Sequence, residues 1–244
     1  MKKSLVLILA LTLVLAFTAC GGDSDAKSEG VMTHAEYMDA ALESEVVIEA
    51  YVQAHQSWWN DTITVYAQDK DGAYFIYGMS CSEEDSKKLT PGTKIKVTGH
   101  KTEWSGEVEI IDATFEIESG SYVAKATDVT SLLGKDDLIK HQNELVSFKG
   151  MTVETYEKDG VSYDCAFVYN DDNSGDHDSN SDLYFNVSVN GQTYTFCVES
   201  YLCDNTTDVY KAVENLKVGD VVDLEGFLYW YNGANPHITS VTVK

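Results

Sequence analysis

The chain has 244 residues, of which 43% are apolar, and its 40 acidic and 17 basic side chains give a formal net charge of −23. All the basic residues are lysine, and arginine is absent. Because proteins bind nucleic acids largely by neutralising phosphates with Lys and Arg, this composition argues against nucleic acid as a partner. The length predicts one or two domains.

The first twenty residues have the pattern of an exported protein's leader. Two lysines precede a short apolar run that ends at Phe17, and this run is too short for a membrane-spanning helix. Residues 17–20, Phe-Thr-Ala-Cys, resemble the lipobox of bacterial lipoproteins. The resemblance implies that residues 1–19 form a signal peptide and that Cys20 carries a lipid. The mature chain would then be anchored to the extracytoplasmic face of the cell membrane, with a formal net charge of −25.

Residues 20–30 are rich in Gly, Ser and charged side chains, which predicts a flexible tether. Four cysteines follow the tether: Cys81, Cys165, Cys197 and Cys203. An even number outside the membrane permits disulfides, and the sequence does not choose among the three connectivities. Cys197, on an alternating strand, is most simply a small buried residue.

The rest of the chain contains an internal repeat. Residues 89–99 align with residues 216–226, and each segment has a turn glycine, an alternating strand and a final glycine. Upstream, Asp-Gly and Asn-Gly pairs occupy corresponding positions between alternating runs, which predicts two hairpins. A helix is predicted between the third and fourth strands of each unit, at about residues 82–88 and 207–216.

Five strands with a helix between the third and fourth is the order of an OB-fold, a small Greek-key barrel. We therefore predict a mainly β protein with two tandem five-stranded OB-fold barrels, at residues 31–120 and 121–244. This arrangement resembles the tandem OB-fold lipoproteins of Gram-positive gut bacteria over nearly all of the mature chain. The resemblance implies a fold and a location, and it implies no ligand.

Two kinds of segment lie outside the predicted barrel strands. Residues 33–42 have the capping-box pair Thr33 and Glu36 and predict a helix that closes one barrel end. Residues 131–141 occupy the equivalent place before the second unit. An Asp-rich insertion at residues 156–182 separates the first two strands of that unit, with a turn at 158–160 and a strand at 163–169.

No established catalytic motif is present, so the chain is not expected to be an enzyme. The insertion offers hard oxygen ligands to Ca²⁺ at four aspartates: Asp171, Asp172, Asp176 and Asp178. Their spacing misses the EF-hand rule, however, and a solvated surface loop is the simpler interpretation. No other cofactor is expected.

Aromatic residues concentrate in the loops that flank the ligand face of an OB-fold. The candidates for ligand binding are Trp58, Trp59, Trp104, Tyr229, Trp230 and Tyr231. Flat aromatic faces stack on sugar rings or on bases. The competing interpretation is that about half of these rings point inward and cap the barrel cores.

These observations predict a membrane-anchored, non-catalytic binding module whose ligand is a neutral oligosaccharide, a peptide or a protein partner. The alternatives are a single-stranded nucleic-acid-binding OB protein and a structural spacer in an exported complex. The nucleic-acid alternative would depend on the only basic concentration in the chain: Lys87, Lys88, Lys94, Lys96 and Lys101.

Overall fold

The computed structural model describes residues 27–244 with the exception of Ser179. The signal peptide, Cys20 and most of the tether lie outside this range and stay predictions. Lys27, at the start of the described chain, donates to the Glu49 carbonyl oxygen and pairs with Asp69. None of the helices in the described range has the length and apolar character needed to cross a membrane.

The first half of the chain folds into a closed five-stranded barrel. Its strands are β1 (Glu45–His55), β2 (Thr62–Gln68), β3 (Ala73–Ser80), β4 (Thr93–Trp104) and β5 (Glu107–Ser121). They close in the order β1-β2-β3-β5-β4, with β3 and β5 parallel and the other pairs antiparallel. This order is that of the predicted OB-fold.

The second half repeats the arrangement. Its strands are β6 (Thr127–Asp128), β7 (Leu145–Glu154), β8 (Glu157–Lys158), β9 (Val161–Ser162), β10 (Phe167–Tyr169), β11 (Leu183–Val189), β12 (Gln192–Val198), β13 (Val221–Phe227) and β14 (His237–Val243). Pairing of β7 with both β11 and β13 closes a barrel in the order β7-β11-β12-β14-β13. Both predicted barrels are therefore confirmed.

Each barrel is filled by the inward side of its alternating strands. Val46, Ile48 and Ala50 of β1 are fully buried in the first core, and Phe148 of β7 packs on Phe196 in the second, with ring centroids 4.6 Å apart. Alternation places every second residue on one face of a strand. The alternating pattern that predicts the strands therefore also supplies the apolar side chains of both cores.

Short helices lie where the sequence places them. They are α1 (His34–Asp39), α2 (Glu83–Ser86) and α3 (Asp208–Glu214). Thr33 and Glu36 form the predicted capping box on α1, and Tyr37 enters the first core. Side chains of Ser82 and Thr207 cap α2 and α3. These contacts satisfy backbone N–H groups that a helix leaves unpaired at its start.

The linker between the barrels differs from the prediction of one helix at residues 131–141. It forms two 3-10 helices, Thr130–Leu132 and Asp136–His141. Gly134 lies between them at a φ of +75°. This left-handed backbone interrupts the helical path and separates the two segments.

The insertion folds as a hairpin followed by a short strand. Asp159 and Gly160 turn between β8 and β9 at φ angles of 52° and 77°, as the sequence of the turn predicts. The predicted strand at 163–169 is shorter than expected and begins at Phe167. Asp164 has a φ of 53°, which interrupts an extended run.

The four cysteines of the described chain are free thiols: Cys81, Cys165, Cys197 and Cys203. None of the disulfide connectivities that the sequence permits is formed. Cys197 is fully buried, as its place on an alternating strand predicts.

The glycines that end the two aligned segments have the same structural role. Gly99 and Gly226 lie beside β-bulges in the fourth strand of each barrel. A Cβ atom at Gly226 would lie 2.2 Å from the carbonyl oxygen of His237, and one at Gly99 would lie 2.8 Å from that of Ile111. The close approach of the last strand therefore requires glycine at both positions.

Replacing Gly226 with alanine is expected to lower the free energy of unfolding by about 2–3 kcal/mol, because the added methyl group forces the backbone of β14 away. Gly150→Ala is the matched control. Gly150 has a φ of +64°, and a methyl group added there would have no atom within 4 Å. Its cost is therefore only the left-handed backbone, about 1 kcal/mol. Urea denaturation measures both values, and equal losses would contradict the close-approach argument.

Candidate functional site

The outer face of β2 and β3 is the usual ligand face of an OB-fold, and the second barrel covers it around Tyr66 and Phe75. Tyr66 stacks on Phe227 with ring centroids 4.4 Å apart, and Phe75 meets Tyr229 edge-on at 5.2 Å. Tyr66 and Phe75 are almost completely buried. This face of the first barrel is therefore part of a core shared by both barrels.

A buried polar pair lies within this shared core. The hydroxyl of Tyr66 and Nδ1 of His237 form a hydrogen bond of 2.7 Å. Burial lowers the pKa of His237 to about 3, so its ring is neutral at physiological pH. The Tyr229 ring stacks on His237 at 4.4 Å. A neutral, hydrogen-bonded histidine can be buried among aromatic rings without an unpaired charge.

The hairpins that join the fourth and fifth strands of the two barrels also meet. The Glu107 carboxylate accepts hydrogen bonds from the backbone N–H of Trp230, at 2.8 Å, and from the side chain of Gln142, at 3.2 Å. Gly106 lies under the Trp230 ring, where a Cβ atom would be 2.8 Å from the indole. Both hairpins are thus used in the contact between the barrels.

Three carboxyl groups are buried at this contact. Burial raises the pKa of Glu107 to about 8 and the pKa values of Glu109 and Glu199 to about 7. Glu199 of the second barrel also accepts a hydrogen bond from Gln56 of the first, at 3.2 Å. The contact therefore binds protons more tightly than an unfolded chain does.

An open groove of about 630 Å³ lies beside the docked hairpins. We call it the junction groove, and its main walls are Leu133, Leu138, Ile139, Tyr194 and Trp230. The linker, the second barrel and Gly106 of the first barrel all contribute to it. It is lined mainly by apolar and aromatic side chains, with Lys135 and Asp136 as its charged members.

Of the six aromatic candidates, three are exposed and three are half-buried. Trp59, Trp104 and Tyr231 are 79%, 60% and 53% exposed. The other three are half-buried: Trp58, Tyr229 and Trp230. The indole N–H of Trp58 donates to the carbonyl oxygen of Cys81 at 2.8 Å. The expectation that about half of these rings would turn inward agrees with this division.

The exposed tryptophans of the first barrel lie far apart on its β2–β3 face. The loop with Trp59 lies at the end of β3, because β2 and β3 are antiparallel. The hairpin with Trp104 lies at the start of β3, because β3 and β5 are parallel, with Phe75 opposite Glu109. The two exposed tryptophans are thus at opposite ends of a face that the second barrel covers. Of the six candidates, only Trp230 lines the junction groove.

The five clustered lysines of the first barrel lie beside other groups of the protein. Lys94 lies 2.8 Å from Glu49 and 2.9 Å from Glu118. Lys101 is buried and donates to two backbone carbonyl oxygens. The remaining three stand close to acidic residues, Lys87 and Lys88 in ion pairs along α2 and Lys96 opposite Glu116 in the β4–β5 ladder. Carboxylates therefore compensate the charges of Lys87, Lys88 and Lys94.

Three of the four aspartates of the insertion make local contacts through their carboxylates. Asp171 pairs with Lys158, and the carboxylates of Asp172 and Asp178 accept from backbone N–H groups two residues further on. Asp176 is exposed. Across residues 27–244, Ser179 excepted, no three His, Cys, Asp or Glu side chains are placed to hold a metal ion. This geometry gives the predicted calcium site no support, and the site stays an untested expectation.

The corresponding outer face of the second barrel is acidic. Glu154, Glu157 and Asp159 line a groove of about 490 Å³ together with polar side chains of β11 and β12. The hairpin β8–β9 forms one wall, and the backbone carbonyl of Glu157 accepts from the side chain of Asn186 at 3.0 Å. Neither OB face therefore offers a basic surface to a phosphate chain.

The sequence does not identify the residues that form the junction groove and the contact between the two barrels. The sequence pattern places Leu133, Leu138 and Ile139 only in a linker helix, and His237 only in the last strand. One indication of the contact is present in the sequence. Tyr66 and Phe75 fall on the outward side of alternating strands. Large aromatic rings on that side indicate a covered surface.

No protein-family model and no curated protein matches the chain. Among solved structures, similarity extends to the Ifi202 HINa domain in complex with 20-bp dsDNA, with 14% identity, a TM-score of 0.35, and coverage of 82% of this chain and 98% of that chain. It also extends to a murine DNA-binding protein bound with dsDNA, with 10% identity, a TM-score of 0.38, and coverage of 81% and 96%. At such scores the likeness carries no inference about function, and the fold assignment stands on the strand order of the chain itself.

The buried carboxyl groups predict a stability that falls as pH rises. The folded state holds a proton on Glu107 up to about pH 8, whereas the unfolded state loses it near the ordinary pKa of 4.5. Unfolding free energy should therefore decrease from about pH 4.5 to pH 8, by on the order of 1 kcal/mol per pH unit for one such group. Glu107→Gln should reduce this dependence to the part that Glu109 and Glu199 contribute, and it should unfold at a higher temperature than the wild type at pH 8.5.

The matched control is Glu103→Gln, which changes an exposed carboxylate of the same hairpin. It should follow the wild-type pH dependence of the melting temperature. Parallel curves for wild type and Glu107→Gln would show that the Glu107 proton is not linked to folding.

Proposed function

We propose that the chain is a non-catalytic binding module, anchored through Cys20 to the extracytoplasmic face of the cell membrane. The lipobox-like residues 17–20 support the anchor, and the shared core supports two barrels that act as one rigid unit. Tyr66, Phe75 and Phe227 are each at most 3% exposed in that core. Relative movement of the barrels would expose these rings to water, which the hydrophobic effect opposes.

The junction groove is the binding site in this proposal, and its existence is the observation that carries the function. Ligand sites are typically concave, mostly apolar and formed where domains meet, with a few polar groups that set orientation. The groove of about 630 Å³ has this character, with Trp230 and Tyr194 as aromatic walls and Lys135 and Asp136 as polar groups.

The ligand is neutral and has an apolar face, as a peptide segment or a saccharide does. The charge of the chain disfavours phosphate polymers as ligands. The chain has a net charge of −23 and no arginine, so its field repels polyanions. Lys87, Lys88 and Lys94 are paired with carboxylates, and Glu154, Glu157 and Asp159 make the outer face of the second barrel acidic.

Single-stranded nucleic acid is the second candidate. OB-folds as a class include proteins that bind single strands, and exposed aromatic rings can stack on bases. Trp59, Trp104 and Tyr231 are exposed enough to do so. A structural spacer is the third alternative, and it would have inward-pointing aromatic rings and no cleft. The three exposed rings and the junction groove count against it.

The groove proposal is tested with a chain that begins at Gly21, titrated by calorimetry with neutral oligosaccharides and neutral peptides. Tyr194→Ala should weaken binding of the selected ligand at least tenfold, about 1.4 kcal/mol, because it removes an aromatic wall. Tyr77→Ala is the matched control, since Tyr77 is a 56% exposed tyrosine on the third strand of the other barrel. It should bind as the wild type does.

A single-stranded oligonucleotide is titrated in parallel at low and physiological salt. No saturable binding is expected. Salt-sensitive binding of the oligonucleotide, without binding of any neutral ligand, would replace the proposal by the second candidate.

The anchor is tested separately in the native cell. Cys20→Ser should prevent labelling of the protein with a radioactive fatty acid and move it from the membrane fraction to the medium. Ser24→Ala, a change in the adjoining tether, should leave both unchanged. Continued fatty-acid labelling of the Cys20→Ser protein would refute lipid anchoring at this residue.

A further inference from the structure

One carboxyl group joins three segments at the contact between the barrels. Glu107 begins β5 of the first barrel and is completely buried. Its Oε2 atom accepts from the backbone N–H of Trp230, which follows β13, and from the side chain of Gln142 in the linker. The side chain of Asn143 is also within hydrogen-bonding reach of this carboxyl group. A single side chain therefore ties the first barrel to the linker and to the second barrel.

Two oxygen atoms of this contact lack a hydrogen-bond donor among the described residues. They are Oε1 of Glu107 and Oδ1 of Asn143. The amide of Asn143 is fixed in orientation, because its Nδ2 atom donates to the carbonyl oxygen of Val108 at 3.2 Å. Turning the amide over would set Oδ1 against that carbonyl oxygen, and two acceptors do not pair. The missing donor must therefore come from a group other than the Asn143 amide.

A proton on Oε1 of Glu107 satisfies both atoms at once. An ionised carboxylate only accepts hydrogen bonds, whereas a protonated carboxyl group also donates one. Oε2 keeps its two bonds, and Oε1 donates to Oδ1 of Asn143. Burial favours the same state, because it raises the pKa of Glu107 to about 8. The neutral carboxyl group thus leaves neither oxygen without a partner.

The acidic groups around Glu107 also favour its neutral form. Glu109 lies on the same strand, and its charge raises the pKa of Glu107. Three phenol groups interact electrostatically with Glu107 from the segments packed against it, and burial raises the pKa of each. They are Tyr37 of α1, Tyr66 of β2 and Tyr229 after β13. Because all four groups are acids, none of them stabilises a negative charge on Glu107.

Basic side chains on the packed segments are engaged elsewhere or carry no charge. Lys101 donates to two backbone carbonyl oxygens beside α1. Lys140 and His141 of the linker lie in pairs with carboxylates, at 2.6 and 2.9 Å. Burial lowers the pKa values of His34 and His237. Among these described groups, none supplies a counter-charge to an ionised carboxylate at the contact.

We propose that the carboxyl group of Glu107 is a proton-dependent clasp on the two docked hairpins. With its proton, it donates to Oδ1 of Asn143 and keeps the hairpins together. Without the proton, the hairpins separate while both barrels stay folded. An ionised carboxylate buried without a counter-charge is unstable, so loss of the proton favours the open contact, in which water reaches Glu107.

Local opening is feasible because the hairpin contact is separate from the cores. Each barrel has its own cluster of buried residues, and the rings of Tyr66, Phe75 and Phe227 form a third. The hairpins meet instead through polar bonds, those of Glu107 and one from the Asn232 N–H to the Ser105 carbonyl oxygen at 2.7 Å. Breaking these bonds leaves all three clusters intact.

The direction of the pH dependence follows from which form binds the proton more tightly. In the closed contact Glu107 keeps its proton up to about pH 8, whereas in the open contact it loses the proton near the ordinary pKa of 4.5. The closed form is therefore most favoured below about pH 4.5. It weakens about tenfold per pH unit up to about pH 8, roughly 3000-fold in all, and changes no further above that.

The clasp also acts on the junction groove. Gly106 of the first barrel and Trp230 of the second both line the groove. Opening of the clasp moves these two walls apart, so a ligand of the groove would bind less tightly as the pH rises. This consequence rests on the proposed function of the groove, whereas the clasp itself does not.

The clasp is tested without a ligand, on the chain that begins at Gly21 with its glutamate carboxyl groups labelled with ¹³C. NMR follows these carboxyl signals from about pH 4 to pH 10, and the Glu107 signal is the one that Glu107→Gln removes. In the wild type, Glu107 should titrate with a pKa near 8. Asn143→Gly should lower this pKa by about 1 or more, because the neutral carboxyl group loses its acceptor.

Asn190→Gly is the matched control for this change. Asn190 is an exposed asparagine with the same left-handed backbone, at a φ of 54° against 68° at Asn143. Its replacement should leave the titration of Glu107 as in the wild type.

Amide hydrogen exchange measures the opening of the hairpins. The N–H groups of Trp230 and Asn232 bond across the contact. Their protection factors should fall about tenfold per pH unit between about pH 5 and pH 8, and they should stay below those of the most protected amides in the barrel cores. Glu107→Gln should remove most of this fall, because its side-chain amide is a permanent donor to Asn143.

The proposal is wrong if wild-type Glu107 titrates near 4.5. It is also wrong if Asn143→Gly leaves the pKa of Glu107 unchanged or raises it, since the Asn143 amide would then be donating to a carboxylate. Equal protection of the contact amides and the core amides at every pH would show that the hairpins do not separate before the protein unfolds. The wild-type and Glu107→Gln measurements decide the matter even if Asn143→Gly does not fold.

Discussion

The stacked rings of Tyr66 and Phe227 set the arrangement of the whole molecule, because they convert the outer face of one barrel into an interior. Rings at 4.4 Å between centroids exclude water, so every polar group beside them must find a partner inside the protein. His237 meets this requirement through its hydrogen bond with Tyr66. The burial that keeps His237 neutral also raises the pKa values of the carboxyl groups at the edge of the contact.

The same contact changes the role of the loops. In an isolated OB-fold, the hairpin between the fourth and fifth strands flanks the ligand face. Here the two hairpins dock on each other through Glu107, Gly106 and Trp230. Concave surface is therefore found beside the docked hairpins, where the linker forms one wall of the junction groove. The largest concave apolar surface described here thus lies at the boundary between the barrels and not on the β2–β3 face of the first barrel.

The sequence predicted the two barrels because both of their signals are local. Alternation places Val46 and Ile48 inward, and the aligned glycines Gly99 and Gly226 report the close approach of the last strand. The contact between the barrels is long-range, and alternation shows only that Tyr66 points outward. What covers an outward ring depends on the relative orientation of two domains, which no local pattern encodes. The surroundings of the six aromatic candidates depend on that orientation, so the sequence could name these residues but could not show which of them the second barrel would cover.

The contact between the barrels is heterologous, since the strand face of one barrel meets the end of the other. Contacts of this type do not close on themselves and can extend into open chains of units. The last unit of such an array needs an element that covers its free face, as terminal repeats do in solenoid proteins. The hairpin β8–β9 lies over that face in the second barrel, where Glu157 accepts from Asn186. The insertion that interrupts the second repeat thus lines, in the second barrel, the face that the first barrel uses for docking.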